Sequence, residues 1–374
     1  MRHIVRHLLT IALLFFSNVL FAQKAEEFGF RHLQTIYKGD TVDILIKSKK
    51  GEEFKKKPLL LFCQGSLPIP LIIKYHGNDK QGIYHVFVFN PDSLSAKYHL
   101  AIIGKPFIPL IADEKSLNSD MTYTDKTAAF PKGYIKRDFL DYYVNRDISV
   151  IKFLQKQSWI DKRKLVVAGH SEGSTIAAKL ALKFPGVTEL IYASGNPLGR
   201  ILTIIEQDRI GETDSTKYAE NMIKHWKNIV DSSTYMNTKI GDTYKATYDF
   251  SIPPMQYLEK LKIPVLVCYG TRDVATPFID YFRVEMIRQK KKNFTFKAYI
   301  GLDHNFFPLK PNGDINYDIF NWDKVADYWR SWLKEHYVRT TMGFAQVGQT
   351  EQTSAFVLLS LAVWATDFYQ QTNK

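Results

Sequence analysis

Residues 165–173 constrain this chain more than any other stretch. Leu165-Val166-Val167-Ala168 is an apolar run that reads as a buried strand, and Gly169 follows it at once. Gly169-His170-Ser171-Glu172-Gly173 then fits the pattern G-x-S-x-G, and 175–183, rich in alanine and leucine, reads as a helix. A chain that passes from strand to helix in so few residues turns sharply. Such a turn lifts the serine hydroxyl clear of the sheet, and the flanking glycines let neighbouring backbone approach closely. The helix behind it aims unpaired N–H groups at the place where negative charge would develop.

The rest of the sequence supplies a frame for that turn. Runs at 41–48, 59–64, 83–90 and 98–103 read as strands, and 59–64, continuously apolar up to Gly65, reads as fully buried. Residues 136–157 carry Phe139, Tyr142, Tyr143, Val150, Ile151 and Leu154 at helical spacing. Beyond the serine, 190–193, 263–269 and 294–300 are further strands, while 280–289 and 322–337 are helical. Strand and helix alternating in this way predict an α/β protein with a largely parallel sheet covered on both faces. With 374 residues the chain can bury a sizeable core without disulfide staples.

Two segments break the rhythm. Residues 196–259 are polar and aromatic, with Tyr218, Trp226, Tyr235, Tyr244, Tyr248 and Tyr257. They stand where a single crossover helix would suffice, so they predict an inserted, mostly helical cap whose aromatics pack as core. In the tail, 338–374, an apolar stretch at 355–364 is too short to span a bilayer and predicts a docked helix, with an interfacial anchor as the alternative. At the other end, residues 1–22 read as an export signal. Arg2 and Arg6 give a positive start, an apolar run follows at 8–16, and Ala22 precedes Gln23 at a cleavage point. The main folded domain would then span 23–337, and the protein would be exported to a periplasmic or extracellular compartment.

Formal net charge is +12, and loss of Arg2 and Arg6 with the signal leaves about +10. The lysines are scattered, with small clusters at 49–50, 55–57 and 290–292. No nucleic-acid motif accompanies them, so a nucleic-acid partner is not expected. A weak association with an anionic envelope surface is. Cys63 and Cys268 each lie in an apolar run and lack metal-ligand spacing, so they read as buried free thiols.

A serine hydroxyl is a poor nucleophile without a general base, and the base needs a carboxylate to orient it. Behind an elbow of this type the partners follow in the order acid, then histidine, at strand ends. Asp273 stands in Tyr269-Gly270-Thr271-Arg272-Asp273, directly after a buried strand. His304 stands in Gly301-Leu302-Asp303-His304, directly after the next. Asp280 belongs to the helix that follows, and His225 and His336 fall in the insert and the terminal helix. An oxyanion hole would take one N–H from Glu172 and a second from the loop after 59–64, at Ser66, with Leu67 as the alternative. His170 reads as a packing residue. Glu172 reads as an acid favoured by a helix N-terminus, or else as a partner for a polar group or a cationic substrate element.

From Leu59 to Tyr337 the chain resembles the α/β-hydrolase-fold serine hydrolases, with G-H-S-E-G, Y-G-T-R-D and G-L-D-H in the family's order. Where many members carry His-Gly at the oxyanion strand, Gln64-Gly65 stands here. The resemblance implies a mostly parallel sheet of about eight strands with a cap after the sixth. It also implies a Ser171–His304–Asp273 triad that needs no cofactor or metal. The expected activity is cleavage of carboxylic esters of small molecules. A peptidase or amidase acting on short peptides, and a catalytically silent binding protein on the same fold, are the alternatives.

Overall fold

The computed structural model describes residues 24–77, 80–83 and 87–346. It forms two units, Met1–Asp327 and Tyr328–Lys374. Among the described residues the first unit holds eleven strands: β1 (Arg31–Tyr37), β2 (Asp40–Lys47), β3 (Lys57–Cys63), β4 (Ile72–Gly77), β5 (Lys80–Ile83), β6 (His99–Ile103), β7 (Ile111–Asp113), β8 (Ile160–His170), β9 (Glu189–Ala193), β10 (Val265–Gly270) and β11 (Phe294–Tyr299). Eight of them form the main sheet in the order β1-β2-β6-β3-β8-β9-β10-β11. β2 runs antiparallel to both its neighbours, and every pairing from β6 onward is parallel. This is the α/β-hydrolase fold.

The central strands are apolar throughout because both faces of the sheet are covered. On β3, Leu59, Leu61 and Cys63 belong to one core, shared with Leu165 and Val167 of β8. The opposite face of β3 presents Phe62 to Phe87 and Phe89, at ring separations of 6.1 and 5.6 Å. That contact corrects the strand expected at 83–90. Ile83 ends β5, 84–86 lie outside the described residues, and 87–89 form a bend whose phenylalanines close over the sheet. The helices are α1 (Leu140–Leu154), α2 (Glu172–Lys183), α3 (Arg200–Ile210), α4 (Tyr218–Asp231), α5 (Tyr244–Ser251), α6 (Thr276–Arg288) and α7 (Trp322–Gln346), with shorter turns between them. α1 begins later than the spacing predicts, because 136–139 form a separate turn in which the N–H of Asp138 bonds back to the carbonyl of Tyr134.

Residues 196–259 fold into α3, α4, α5 and the short helix Met255–Leu258, between β9 and β10. Their aromatics mostly pack on one another. Trp226 stacks on Tyr248 at 5.9 Å, and Tyr244 meets His225 and Tyr235. Cys63 and Cys268 are free and buried. Their strands lie three spacings apart, about 14 Å, twice the roughly 7 Å reach of a disulfide.

In the second unit the described residues are the continuation of α7, to Gln346. The apolar tail stretch and the N-terminal segment lie outside the described residues. Among the described residues no helix is long and apolar enough to cross a membrane.

Candidate active site

Ser171 occupies the turn between β8 and α2 with φ 57° and ψ −125°. A non-glycine residue held there costs about 1–3 kcal/mol and persists only where its surroundings over-determine it. They do so here. The Ser171 N–H bonds to the Ala193 carbonyl on β9 at 3.0 Å, and the Ser174 hydroxyl donates to the Ser171 carbonyl at 2.6 Å. The two glycines of the motif are required by contact. A Cβ on Gly169 would lie 2.1 Å from the Gly173 carbonyl oxygen, and one on Gly173 would lie 2.0 Å from that of Cys63. β3 and α2 therefore meet backbone to backbone beneath the serine.

The loops after β10 and β11 bring the other two residues together. His304 Nδ1 and Asp273 Oδ2 are 2.8 Å apart. The Asp273 side chain is fully buried, and its other oxygen accepts the Ala275 N–H at 3.0 Å. A feature the sequence did not reveal permits the pairing: a Cβ on Gly270 would lie 2.3 Å from the carbonyl oxygens of Leu302 and Asp303, so the acid turn needs glycine for the histidine loop to pass. Asp303 shapes that loop by accepting the N–H groups of Asn305 and Phe307.

His170 joins these loops to the elbow. Its Nε2 donates to the His304 carbonyl at 3.0 Å, and its ring lies 5.0 Å from that of His304 and 4.9 Å from that of Trp322. Burial, reinforced by the nearby His304, pushes its pKa down to about 3, so it is a neutral packing residue, as expected from the sequence. His304 shifts the other way. Burial opposes its charge, but the hydrogen bond and charge of Asp273, with the charge of Asp303, outweigh that and raise its pKa. With Nδ1 engaged by Asp273, Nε2 is the nitrogen left to take a proton. No hydrogen bond joins it to Ser171 Oγ in this state, a bond that commonly tightens only around substrate.

The expected oxyanion loop runs beside the serine. A Cβ on Gly65 would lie 3.9 Å from the Ser171 Cβ. The Tyr134 hydroxyl donates to the Ser66 carbonyl at 3.2 Å, and the Gln64 amide anchors the strand end on the Ile103 carbonyl at 2.7 Å. Glu172 contributes the first N–H of α2, which has no acceptor within the helix.

The Glu172 side chain stands in the first turn of α2 and is a partner for polar groups, as the sequence suggests, but at 1% exposure it is not open to a cationic substrate group. Lys105 holds one carboxylate oxygen at 3.0 Å, and Arg200, the first residue of α3, holds the other. Arg200 also pairs with Asp242. Burial raises the Glu172 pKa, but the charges and hydrogen bonds of Lys105 and Arg200 overcome this and keep it below the ordinary value. Asp138 lies in the same region and accepts the Tyr143 hydroxyl at 2.8 Å. Burial, and then repulsion from Glu172, lifts its pKa to about 7. Among the described residues no group of three histidine, cysteine or acidic side chains is placed to hold a metal ion.

No family model and no curated protein matches this chain. Among solved structures, it is similar to Est1E from Butyrivibrio proteoclasticus at 16% identity and TM-score 0.47, over 82% of this chain and 99% of that one. It is similar to an esterase from Rhizomucor miehei at 14% identity and TM-score 0.45, over 82% of each chain. It is also similar to an acylaminoacyl peptidase from Pyrococcus horikoshii, at 14% identity and TM-score 0.47, over 74% of this chain. It spans only 37% of the peptidase's length.

Proposed function

We propose that this chain is an exported serine hydrolase that cleaves carboxylic esters of small molecules through Ser171, His304 and Asp273. The observation that carries the reading is the 2.8 Å His304–Asp273 pair, in a loop hydrogen-bonded to the residue preceding a strained, partly buried serine. Ser171 Oγ adds to the ester carbonyl while its proton passes to His304 Nε2. Asp273 fixes the tautomer by accepting from Nδ1 and stabilises the imidazolium. The N–H of Glu172 and that of Ser66, or Leu67, receive the oxyanion. As the tetrahedral adduct collapses, His304 returns the proton to the departing alcohol. Water then repeats the sequence on the acyl-enzyme, releasing the acid and restoring the serine.

Export rests on Arg2, Arg6 and the apolar run behind them. Once there, a basic chain of about +10 is drawn weakly to anionic envelope surfaces. Residues 196–259 serve as the cap, because Arg200 at their root reaches the residue next to the serine.

The test is hydrolysis of short p-nitrophenyl esters by the full chain and by Ser171→Ala, with fluorophosphonate labelling alongside. Wild type should turn over and label at Ser171, and the variant should do neither. Equal rates for the two proteins would remove the basis of the reading.

A further inference from the structure

We infer that one buried polar network holds both arms of the oxyanion hole in register, with Arg200 and Tyr134 as positioning residues. The inference rests on the hydrolase reading above and adds to it the means by which two separate N–H donors are kept aligned.

The first arm is the Glu172 backbone. An exposed acid in the first turn of a helix gains at most about 1 kcal/mol from the dipole and needs no partner. Glu172 is instead withdrawn from water and gripped from two sides, by Lys105 in the loop after β6 and by Arg200 at the root of the insert. Both cations are themselves fixed. Lys105 lies 4.6 Å over the Tyr143 ring and Arg200 lies 4.8 Å over the Phe250 ring. The root of the insert is equally rigid, since the Ile201 N–H bonds to the Ser251 hydroxyl and a Cβ on Gly199 would lie 2.2 Å from the Ser251 carbonyl oxygen. Burying charges in this way contributes little net stability. What it does supply is a fixed position for the residue that follows the nucleophile.

The second arm is the loop at Ser66. Tyr134 donates to the Ser66 carbonyl, which sets the plane of the Ser66–Leu67 peptide and leaves the Leu67 N–H pointing away from Tyr134. Tyr134 reaches the first arm through Asp138, whose N–H bonds to the Tyr134 carbonyl at 2.9 Å and whose carboxylate accepts from Tyr143, the ring beneath Lys105. A displacement at Arg200 or Tyr134 therefore moves a donor without touching the triad.

The test compares wild type with Arg200→Met, Arg200→Lys and Tyr134→Phe in the full chain. It measures kcat and KM on a p-nitrophenyl ester and the inhibition constant of a trifluoromethyl ketone, whose serine adduct places a charged oxygen in the hole. Removing a donor costs about 10²–10³ in rate, so misaligning one should lower kcat about ten- to a hundredfold. KM should change less than twofold, the inhibitor should weaken by the factor that kcat falls, and Arg200→Lys should recover most of the loss. If Arg200→Met does not fold, Tyr134→Phe decides the matter. Active wild type with kcat within threefold in the folded variants, or a loss of kcat without weaker inhibition, overturns this inference and leaves the hydrolase reading intact. Wild type that neither turns over nor labels at Ser171 overturns both.

Discussion

Replacing Asp273 by Asn keeps the shape of the buried acid and removes its charge. In the proposed reaction His304 becomes an imidazolium, and the carboxylate 2.8 Å from its Nδ1 stabilises that charge. Two unit charges about 4 Å apart at an effective dielectric of 20 interact by about 4 kcal/mol. The His304 side chain is 35% exposed, so solvent screening lowers the figure to about 3 kcal/mol. At 1.36 kcal/mol per decade, kcat should fall about 10²-fold from charge alone, and further because Asn can favour the wrong tautomer. The pH profile carries an independent signature. His304 is a base only when neutral, and its pKa is raised, so wild-type activity should fall on the acid side with a midpoint above 6.5. Asp273→Asn removes the raising interactions and should move that midpoint down. The same shift has a stability consequence. The folded state holds the His304 proton more tightly, so this stabilisation is present below pH 6.5 and disappears as pH rises through the raised value. The assay is steady-state ester hydrolysis from pH 5 to 9. A loss smaller than tenfold, or an acid midpoint that moves upward, would refute the assigned role of Asp273.

Lys105→Met should cost about 3–5 kcal/mol in urea unfolding, because it strips a partner from a buried carboxylate; a loss under 1 kcal/mol would show that the pair is screened. The double variant with Glu172→Gln should lose less than the sum of the single losses. Gly173→Ala should prevent a folded, labelled enzyme from forming, since its Cβ would meet the Cys63 carbonyl at 2.0 Å, and soluble, fluorophosphonate-reactive protein would contradict that. His170 takes its proton near pH 6.5 when unfolded but only near 3 when folded, so stability should fall as pH drops through that interval. His170→Phe should flatten this part of the stability curve, read from thermal midpoints at several pH values.

The parts of the fold that were legible in the sequence are those in which neighbours along the chain share one environment. β3, β9, β10 and the second half of β8 are buried on both faces, so apolar runs announce them. β1 was not legible, because it is an edge strand whose Arg31, His32, Gln34 and Thr35 are partly exposed and interrupt any apolar pattern. The small sheet β5-β4-β7 was missed because its strands are short and joined by loops of mixed composition. At the candidate site, Ser171, Asp273 and His304 each follow a readable strand. Lys105, Asp138 and Arg200 carry no such mark. Each is an ordinary charged residue locally, and only the tertiary approach of three separate segments to Glu172 gives them a common role. Gly270 likewise looks like any turn glycine until the histidine loop is seen passing over it.

The link from Arg200 to Glu172 bears on how such a scaffold can be diversified. The outer helices of the insert expose Ile210, Ile223 and Val230 and make no charged anchor to the elbow, whereas its root supplies one. Loop exchange aimed at altering substrate preference has a natural splice site after Arg200 and before Asp242. A chimera cut outside that boundary would inherit a new binding wall together with a carboxylate beside its nucleophile that keeps Lys105 but has lost its second cation.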